Sequence, residues 1–483
     1  MSGPRPVPQG ARPELAFVVQ RYGEGITGGS EALARAVAER LSGEFRITVF
    51  TSCARDYVTW RNEFPEGVER LGGVEIRRFA VDSERDLAAF NAFAEPLYGR
   101  EAAEPDTAPK PDTASGSGPG RVAAAEGDGG EAARDATGRG AGDATGQLAG
   151  EAAGEAQGAS VGQIATAHPV QRSVGAGRRA RTLADEHRFL RLQGPELPKL
   201  VDALRAERER FAAFVFFTYL YYPTYWGLQA VPERSALVPT THDEPPLRFS
   251  IYREAFALPR ALGFLTPAEE ALVRRRFDVG GRHTVLVGMG VEVPPAPDVA
   301  ALRARHGITR PYAIYAGRID AGKGCAEMLA HHERYRAGRD GALDLVLIGR
   351  LAMAEPRQAG VRYLGFLPDD EKAAALAGAR VVVCPSPFES LSIALLEGFA
   401  LGTPGLVNAR SEVLKEHCVR SGASLYYDDA DEYGEAMNLV ARDDSLHDAL
   451  AASGRRYVEM EYRWDVVLDR WRELIRAAAA GRL

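Results

Sequence analysis

The sequence predicts an α/β protein of two doubly wound domains, with one inserted segment that has nothing to bury. Three observations lead there. Short apolar runs alternate regularly with helical segments, which implies parallel sheets covered by helices on both faces. Glycine-rich turns follow the first apolar run of each half. From Glu101 to Gly177 there is no aromatic residue, and the only large aliphatics are Val122, Leu148, Val161, Ile164, Val170 and Val174. Such a stretch cannot build a core, and it reads as a disordered Ala/Gly-rich insertion spanning 101–177. The remainder, about 400 residues, suffices for two domains of roughly 200 residues each.

Taken in order, Leu15–Val19 reads as the first strand and Gly23-Glu24-Gly25-Ile26-Thr27-Gly28-Gly29 as its exit turn. Ser30 is placed to N-cap a helix whose Leu33, Val37 and Leu41 share one face. The turn matches GxGxxG, the dinucleotide-binding pattern. A dinucleotide site also wants an acid at the end of the second strand, and here Ile47–Phe50 runs into Thr51 and Ser52. After the insertion, Phe214–Phe217 reads as a buried strand. Among the aromatics that follow it, Tyr219 and Tyr222 are candidates for a platform under sugar rings. Ala236–Val238 is a short strand leading to His242-Asp243-Glu244, a polar cluster at the carboxyl end of a strand, where α/β sheets bind ligands. Val285–Val291 reads as the last strand of this half and Pro294-Pro295 as the hinge. The second half alternates strands at Tyr312–Ala316, Leu343–Ile348, Arg362–Leu364, Val381–Cys384, Gly405–Val407 and Leu425–Tyr427 with helices. Arg463-Trp464-Asp465 opens a final amphipathic helix. The expected boundaries are 14–290 for the first domain, 291–462 for the second and 463–483 for the last helix.

A formal charge of −7 and a pI near 5.9 argue against a nucleic-acid binder. The short basic runs Arg178-Arg179-Ala180-Arg181 and Arg274–Arg276 read as solvated faces or contacts to acidic lipid or glycan, at most a peripheral membrane association. No run is long enough to cross a bilayer, and the first fourteen residues lack the apolar stretch of a signal peptide, so a cytoplasmic location is expected. Cys53, Cys325, Cys384 and Cys418 show no paired spacing and fit small buried residues in a reducing compartment.

The richest motif lies in Pro387-Phe388-Glu389-Ser390-Leu391-Ser392-Ile393-Ala394-Leu395-Leu396-Glu397-Gly398. Two carboxylates are separated by seven residues, one before a predicted helix and one inside it. The helix start offers unpaired N–H groups and a positive dipole end to a phosphate. Spacing alone leaves open two solvated or capping carboxylates. Upstream, the strand Tyr312–Ala316 runs into Gly317-Arg318-Ile319-Asp320-Ala321-Gly322-Lys323-Gly324. This glycine turn carries two cations suited to a departing diphosphate. Of 59 basic residues only Lys110, Lys199, Lys323, Lys372 and Lys415 are lysine. A lysine retained in an arginine-using chain fits a site that wants a compact point charge, although an ordinary surface lysine in a turn is the alternative.

These motifs resemble the family 4 glycosyltransferases, retaining enzymes of the GT-B architecture. The resemblance implies two Rossmann-like domains facing across a cleft, with the last helix packing back on the first domain. It implies that Glu389 contacts the donor sugar and Glu397 the ribose, and that Arg318 and Lys323 bind the diphosphate after Gly317. It further implies that His242 contacts the donor sugar and that Gly28 and Gly29, in Gly28-Gly29-Ser30-Glu31, form the first domain's glycine loop. The base would be recognised near Phe366, in Gly365-Phe366-Leu367, and the amides of Leu391, Ser392 and Ile393 would face the diphosphate. One departure is Asn408-Ala409-Arg410-Ser411-Glu412, where many members carry Gly-Gly.

The expected activity is that of a hexosyltransferase-type enzyme (EC 2.4 class). A sugar would pass from a nucleotide-diphosphate sugar, the co-substrate, to the hydroxyl of a glycan or lipid-linked acceptor. No metal-ligand spacing is present, and no metal or other cofactor is expected. The rivals are a sugar-nucleotide epimerase on the same architecture, a non-catalytic nucleotide-sugar-binding protein and, from GxGxxG alone, a nicotinamide oxidoreductase.

Overall fold

The computed structural model describes residues 12–26, 28–99, 180–294 and 296–483. The expected insertion at 101–177 lies outside the described residues, as does Pro295 of the expected hinge. Among the described residues eight strands form the first sheet: β1 (Glu14–Val18), β2 (Arg46–Ser52), β3 (Gly67–Leu71), β4 (Val74–Phe79), β5 (Ala213–Phe217), β6 (Ser235–Val238), β7 (Ala261–Phe264) and β8 (His283–Leu286). Their order is β3-β4-β2-β1-β5-β6-β7-β8, and only β3 runs antiparallel to its neighbour. The second sheet is parallel throughout: β9 (Tyr312–Ala316), β10 (Asp344–Ile348), β11 (Val361–Tyr363), β12 (Val381–Cys384), β13 (Gly405–Asn408) and β14 (Ser424–Tyr427), in the order β11-β10-β9-β12-β13-β14.

Central strands need apolar side chains on both faces, and the runs supply them. Every residue of β5, Ala-Phe-Val-Phe-Phe, is buried. Phe214 and Phe216 pack with the helices on one face, while Val215 and Phe217 join the opposite cluster. That second cluster includes the last helix, Trp464–Ala479, whose Trp471 ring stacks on Phe217 with centroids 5.9 Å apart. The final helix therefore lies on the first sheet. Trp471 Nε1 donates to the Gly288 carbonyl at 3.3 Å, fixing that helix to the segment leaving β8.

Two local expectations need correction. Ser30 does not cap the first helix, which runs Gly29–Leu41 behind an extended Gly28 and has no side-chain cap. The Ser30 hydroxyl is engaged instead, accepting from Gln20 Nε2 at 3.1 Å and donating to Glu31 Oε2 at 3.0 Å. Val285–Val291 is not one strand. β8 ends at Leu286, because Gly288 takes a positive φ of 60° and turns the chain away from β7.

All four cysteines are buried and free. Among the described residues no helix is long and apolar enough to cross a membrane.

Candidate active site in the interlobe cleft

The carboxyl ends of β9 and β12 build one wall. β9 exits into Gly317 and Arg318, then a short 3-10 turn, Ala321–Lys323. Asp320, fully buried, organises it: one carboxylate oxygen accepts the Lys323 N–H at 2.9 Å and the other pairs with Arg318 Nε. Burial opposes the Arg318 charge, but Tyr57 and Asp320 outweigh it, so the guanidinium's pKa stands above its ordinary value. Gly324 closes the turn at φ 73°, and a Cβ there would lie 2.4 Å from the Pro385 carbonyl oxygen. Only glycine lets this turn touch the loop leaving β12. Across that contact Lys323 Nζ donates to Glu389 Oε1 at 2.8 Å. Beyond Glu389, Ser392 sits at φ 66° and the helix Ile393–Leu401 begins.

The Asn408 departure has a structural use. Buried at the end of β13, its Nδ2 donates to the Pro385 carbonyl at 2.9 Å, so it anchors the base of the loop that carries Glu389.

The opposite wall comes from the first sheet. Gly28 precedes the first helix and Gly29 begins it, and a Cβ on Gly28 would meet Glu31 Oε2 at 2.1 Å. Glu31 folds back against that backbone because Arg21 holds it, in a buried pair of 2.6 Å. Just beyond β5 and β6 stand Thr218 (φ 63°) and Thr240 (φ 51°), in a left-handed conformation costly for a β-branched residue, and Thr240 Oγ1 donates to Thr218 Oγ1 at 3.1 Å. His242 follows. Its Nε2 lies 3.5 Å from Glu244 Oε2, and its ring packs near Phe388 of the other lobe, centroids 5.8 Å apart. Tyr57 also spans the gap, its hydroxyl accepting from Arg318 Nη1 at 3.2 Å.

Gly28, Gly29, His242, Arg318, Lys323 and Glu389 thus line one cleft of about 300 Å³. Gln20, Arg21, Tyr57, Thr218, Tyr221, Thr240, Glu244 and Ser390 share its walls. The remaining expected site residues stand off this wall. Gly317 lies just behind Arg318, and Leu391 is buried. Ser392 and Ile393 sit at the helix start, and Phe366 is 75% exposed on the surface. Glu397 pairs with Lys372 Nζ at 2.6 Å, while its Oε2 is buried with no hydrogen-bond partner. Burial pushes the Glu397 carboxyl above the usual range, and Lys372 pulls it back.

The platform expected from Tyr219 and Tyr222 is not formed. The turn at Thr218 sends Tyr219 into the core, where its hydroxyl donates to Glu244 Oε1 at 2.8 Å. Tyr222 packs against Trp226 instead. Of the aromatics that follow β5, Tyr221 lines the cleft. Sequence reasoning missed Asp320 and Tyr57 as well. Asp320 was detectable, as a carboxylate between two cations of one short turn; Tyr57, in a loop after β2, carries no local signal. Among the described residues no group of three or more histidine, cysteine or acidic side chains is placed to hold a metal ion.

The sequence from 298 to 457, the part that bears Arg318, Lys323 and Glu389, matches the family described as Glycosyl transferases group 1. These residues are a group 1 glycosyl transferase domain. The family 4 resemblance is borne out in this transferase domain by its relatives. An α-maltose-1-phosphate synthase of Mycobacterium tuberculosis is 27% identical over 191 residues, 35% of this chain and 49% of its own length. A GDP-mannose-dependent α-(1-6)-phosphatidylinositol dimannoside mannosyltransferase of the same species is 31% identical over 179 residues, 35% of this chain and 46% of its own. The chain thus spans about half the length of the curated relatives it matches.

The fold likeness extends beyond the transferase domain. Sucrose-phosphate synthase from Thermosynechococcus elongatus superposes with a TM-score of 0.60 at 15% identity, over 97% of this chain and 100% of that one. A trehalose 6-phosphate synthase from Burkholderia multivorans gives 0.59 at 12%, over 98% and 100%. The expected GT-B architecture, two parallel-sheet α/β lobes, is the observed one.

Proposed function

We propose that this chain is a retaining hexosyltransferase that moves a sugar from a nucleotide-diphosphate donor to a hydroxyl of a glycan or lipid-linked acceptor. The convergence of Arg318, Lys323 and Glu389 in one cleft with His242 and the Gly28-Gly29 loop carries this reading. In it, the diphosphate lies against Arg318, Lys323 and the N-terminus of the Ile393–Leu401 helix, where fixed positive charge stabilises the leaving group as the glycosidic bond breaks. Glu389, displaced from Lys323 by the phosphate, orients the donor sugar together with His242. Glu397 receives ribose hydroxyls at its unpartnered oxygen. The acceptor hydroxyl enters beside Gly28 and Gly29, and its proton passes to the leaving phosphate on the same face of the sugar. In this proposal no metal or other cofactor takes part, the site of action is the cytoplasm, and any membrane contact is peripheral.

The test is a panel of UDP-, GDP-, ADP- and dTDP-sugars. GDP-mannose comes first because a curated relative is named for it. One donor is expected to raise the melting temperature by mass action and to be hydrolysed slowly without acceptor. A chain that binds none of them, or that converts its donor to an epimer with no acceptor present, refutes the transferase reading.

A further inference from the structure

Behind the cleft, one helix touches both lobes. The helix Pro267–Arg276 follows β7 in the first lobe, and its first turn holds two adjacent residues that face opposite partners. Glu269 is buried and points back into its own lobe. Its Oε1 accepts the Thr241 N–H at 2.6 Å and the Thr241 hydroxyl at 3.1 Å, and its Oε2 accepts the Leu265 N–H at 2.7 Å. Thr241 lies between strained Thr240 and His242, so this carboxylate clamps the turn that presents the histidine. Such strain persists only where surrounding contacts over-determine it.

Ala268, the neighbouring residue, faces the transferase domain. An N–H in the first turn of a helix has no intrahelical acceptor. Here it donates to Glu416 Oε2 at 2.5 Å, on the helix Glu412–Ser421. A carboxylate from one lobe therefore caps a helix of the other, where the dipole also favours negative charge. The next residue, His417, is buried, and its Nε2 lies 2.9 Å from the Leu391 carbonyl. A carbonyl only accepts, so Nε2 carries the proton, and Nδ1 receives the Tyr457 hydroxyl at 3.1 Å. Leu391 is two residues beyond Glu389. A continuous run of contacts thus joins His242 to Glu389 around the back of the cleft, through Thr241, Glu269, Ala268, Glu416, His417 and Leu391.

We propose that Glu269 and Glu416 are positioning residues: through this helix they set the spacing of the His242 turn relative to the Glu389 loop across the cleft. The catalytic consequence rests on the transferase reading above, whereas the geometric claim does not. Neither carboxylate lines the cleft, so each acts through the group it holds. A donor sugar gripped from both lobes needs that spacing, and a misplacement of about 1 Å can cost roughly 100-fold in rate.

The experiment uses the full chain with Glu416→Ala and Glu416→Gln. The alanine variant is expected to lower kcat roughly 10- to 100-fold, with donor affinity changed less than about twofold, the mark of an interaction felt after binding. Glutamine keeps an oxygen for the Ala268 N–H and is expected to restore most of the rate. Wild-type kcat in E416A, or E416Q as slow as E416A, overturns the proposal. A second measurement needs no turnover. Spin labels at Val68→Cys and Leu439→Cys, on exposed positions of the two lobes, report the interlobe distance while the native cysteines stay buried. That distance is expected to broaden in E416A and to narrow again in E416Q. An unchanged distribution in E416A overturns the strut. If the distance responds while no nucleotide sugar is turned over, the strut stands and the transferase reading fails.

Discussion

Lys323 Nζ and Glu389 Oε1 lie 2.8 Å apart, joining the turn after β9 to the loop after β12. Each neutralises the other. In the proposed reaction a diphosphate at Lys323 and at the helix N-terminus would compete for the cation and leave the carboxylate free for a sugar hydroxyl. On that proposal the pair holds both groups in position until a donor separates them.

Lys323→Ala is accordingly expected to lower turnover roughly 100- to 1,000-fold, the loss typical of one charge-stabilising donor. Lys323→Arg is not expected to rescue it fully, because a broad planar guanidinium replaces the compact point charge that sits 2.8 Å from Glu389. Single-turnover transfer, with thermal melting to confirm folding, checks both. Near-native rates in K323A would remove Lys323 from the machinery.

The Lys372–Glu397 pair makes a separate prediction. Burial already disfavours the Glu397 charge, and one of its oxygens lacks a hydrogen-bond partner, which costs stability. Glu397→Gln is therefore expected to leave stability unchanged or raised, while nucleoside diphosphate binds roughly 10- to 100-fold more weakly. Calorimetry with the preferred nucleotide decides it: undiminished affinity in E397Q excludes a ribose contact.

How far the sequence carries depends on what each feature needs. β9 and β12 begin and end where their apolar runs do, because a strand buried on both faces is a local pattern. The motifs place Lys323 and Glu389 in one site by resemblance, and their approach comes from β9 and β12 being neighbours in the sheet, an order not read from the sequence. What stayed hidden depends on nonlocal geometry. Tyr219 turns inward because Thr218 has a positive φ, which composition does not announce. Tyr57 and Arg318 meet only because the lobes dock, and the capping of Ala268 by Glu416 spans 148 residues. No periodicity encodes such pairs.

Strain at the cleft gives a third prediction. Thr218 and Thr240 hold left-handed backbones that glycine adopts freely. Thr218→Gly is expected to stabilise the protein by about 1 kcal/mol and to reduce turnover, because the hydroxyl pair that shapes the wall is lost. Urea unfolding and kcat measured together test the trade-off. A destabilised T218G would mean that the hydroxyl bond outweighs the strain.

The last prediction concerns pH, through two buried groups on the interlobe strut. Burial pushes the Glu269 carboxyl up to about 7 from an ordinary 4.5, against three hydrogen bonds that favour its charge and with no charged neighbour contributing. Across the window from 4.5 to 7 the folded state holds a proton that the unfolded chain has released. The contribution to stability is therefore complete below 4.5 and lost as pH rises through 7. His417 works the other way. Burial lowers it to about 4 from 6.5, so its contribution is present above 6.5 and lost as pH falls through 4. Between 4.5 and 6.5 the two oppose each other, and acidification of the wild type exchanges one against the other. Glu269→Gln removes the titrating carboxyl and leaves the histidine alone. Its amide also turns N–H groups toward donors that need an acceptor, a loss of roughly 1 to 3 kcal/mol. The variant is thus expected to be less stable than wild type, with a deficit that grows as pH falls from 7 toward 4.5. Urea midpoints across that range check it, and a constant offset would show that Glu269 keeps an ordinary pKa in the folded protein.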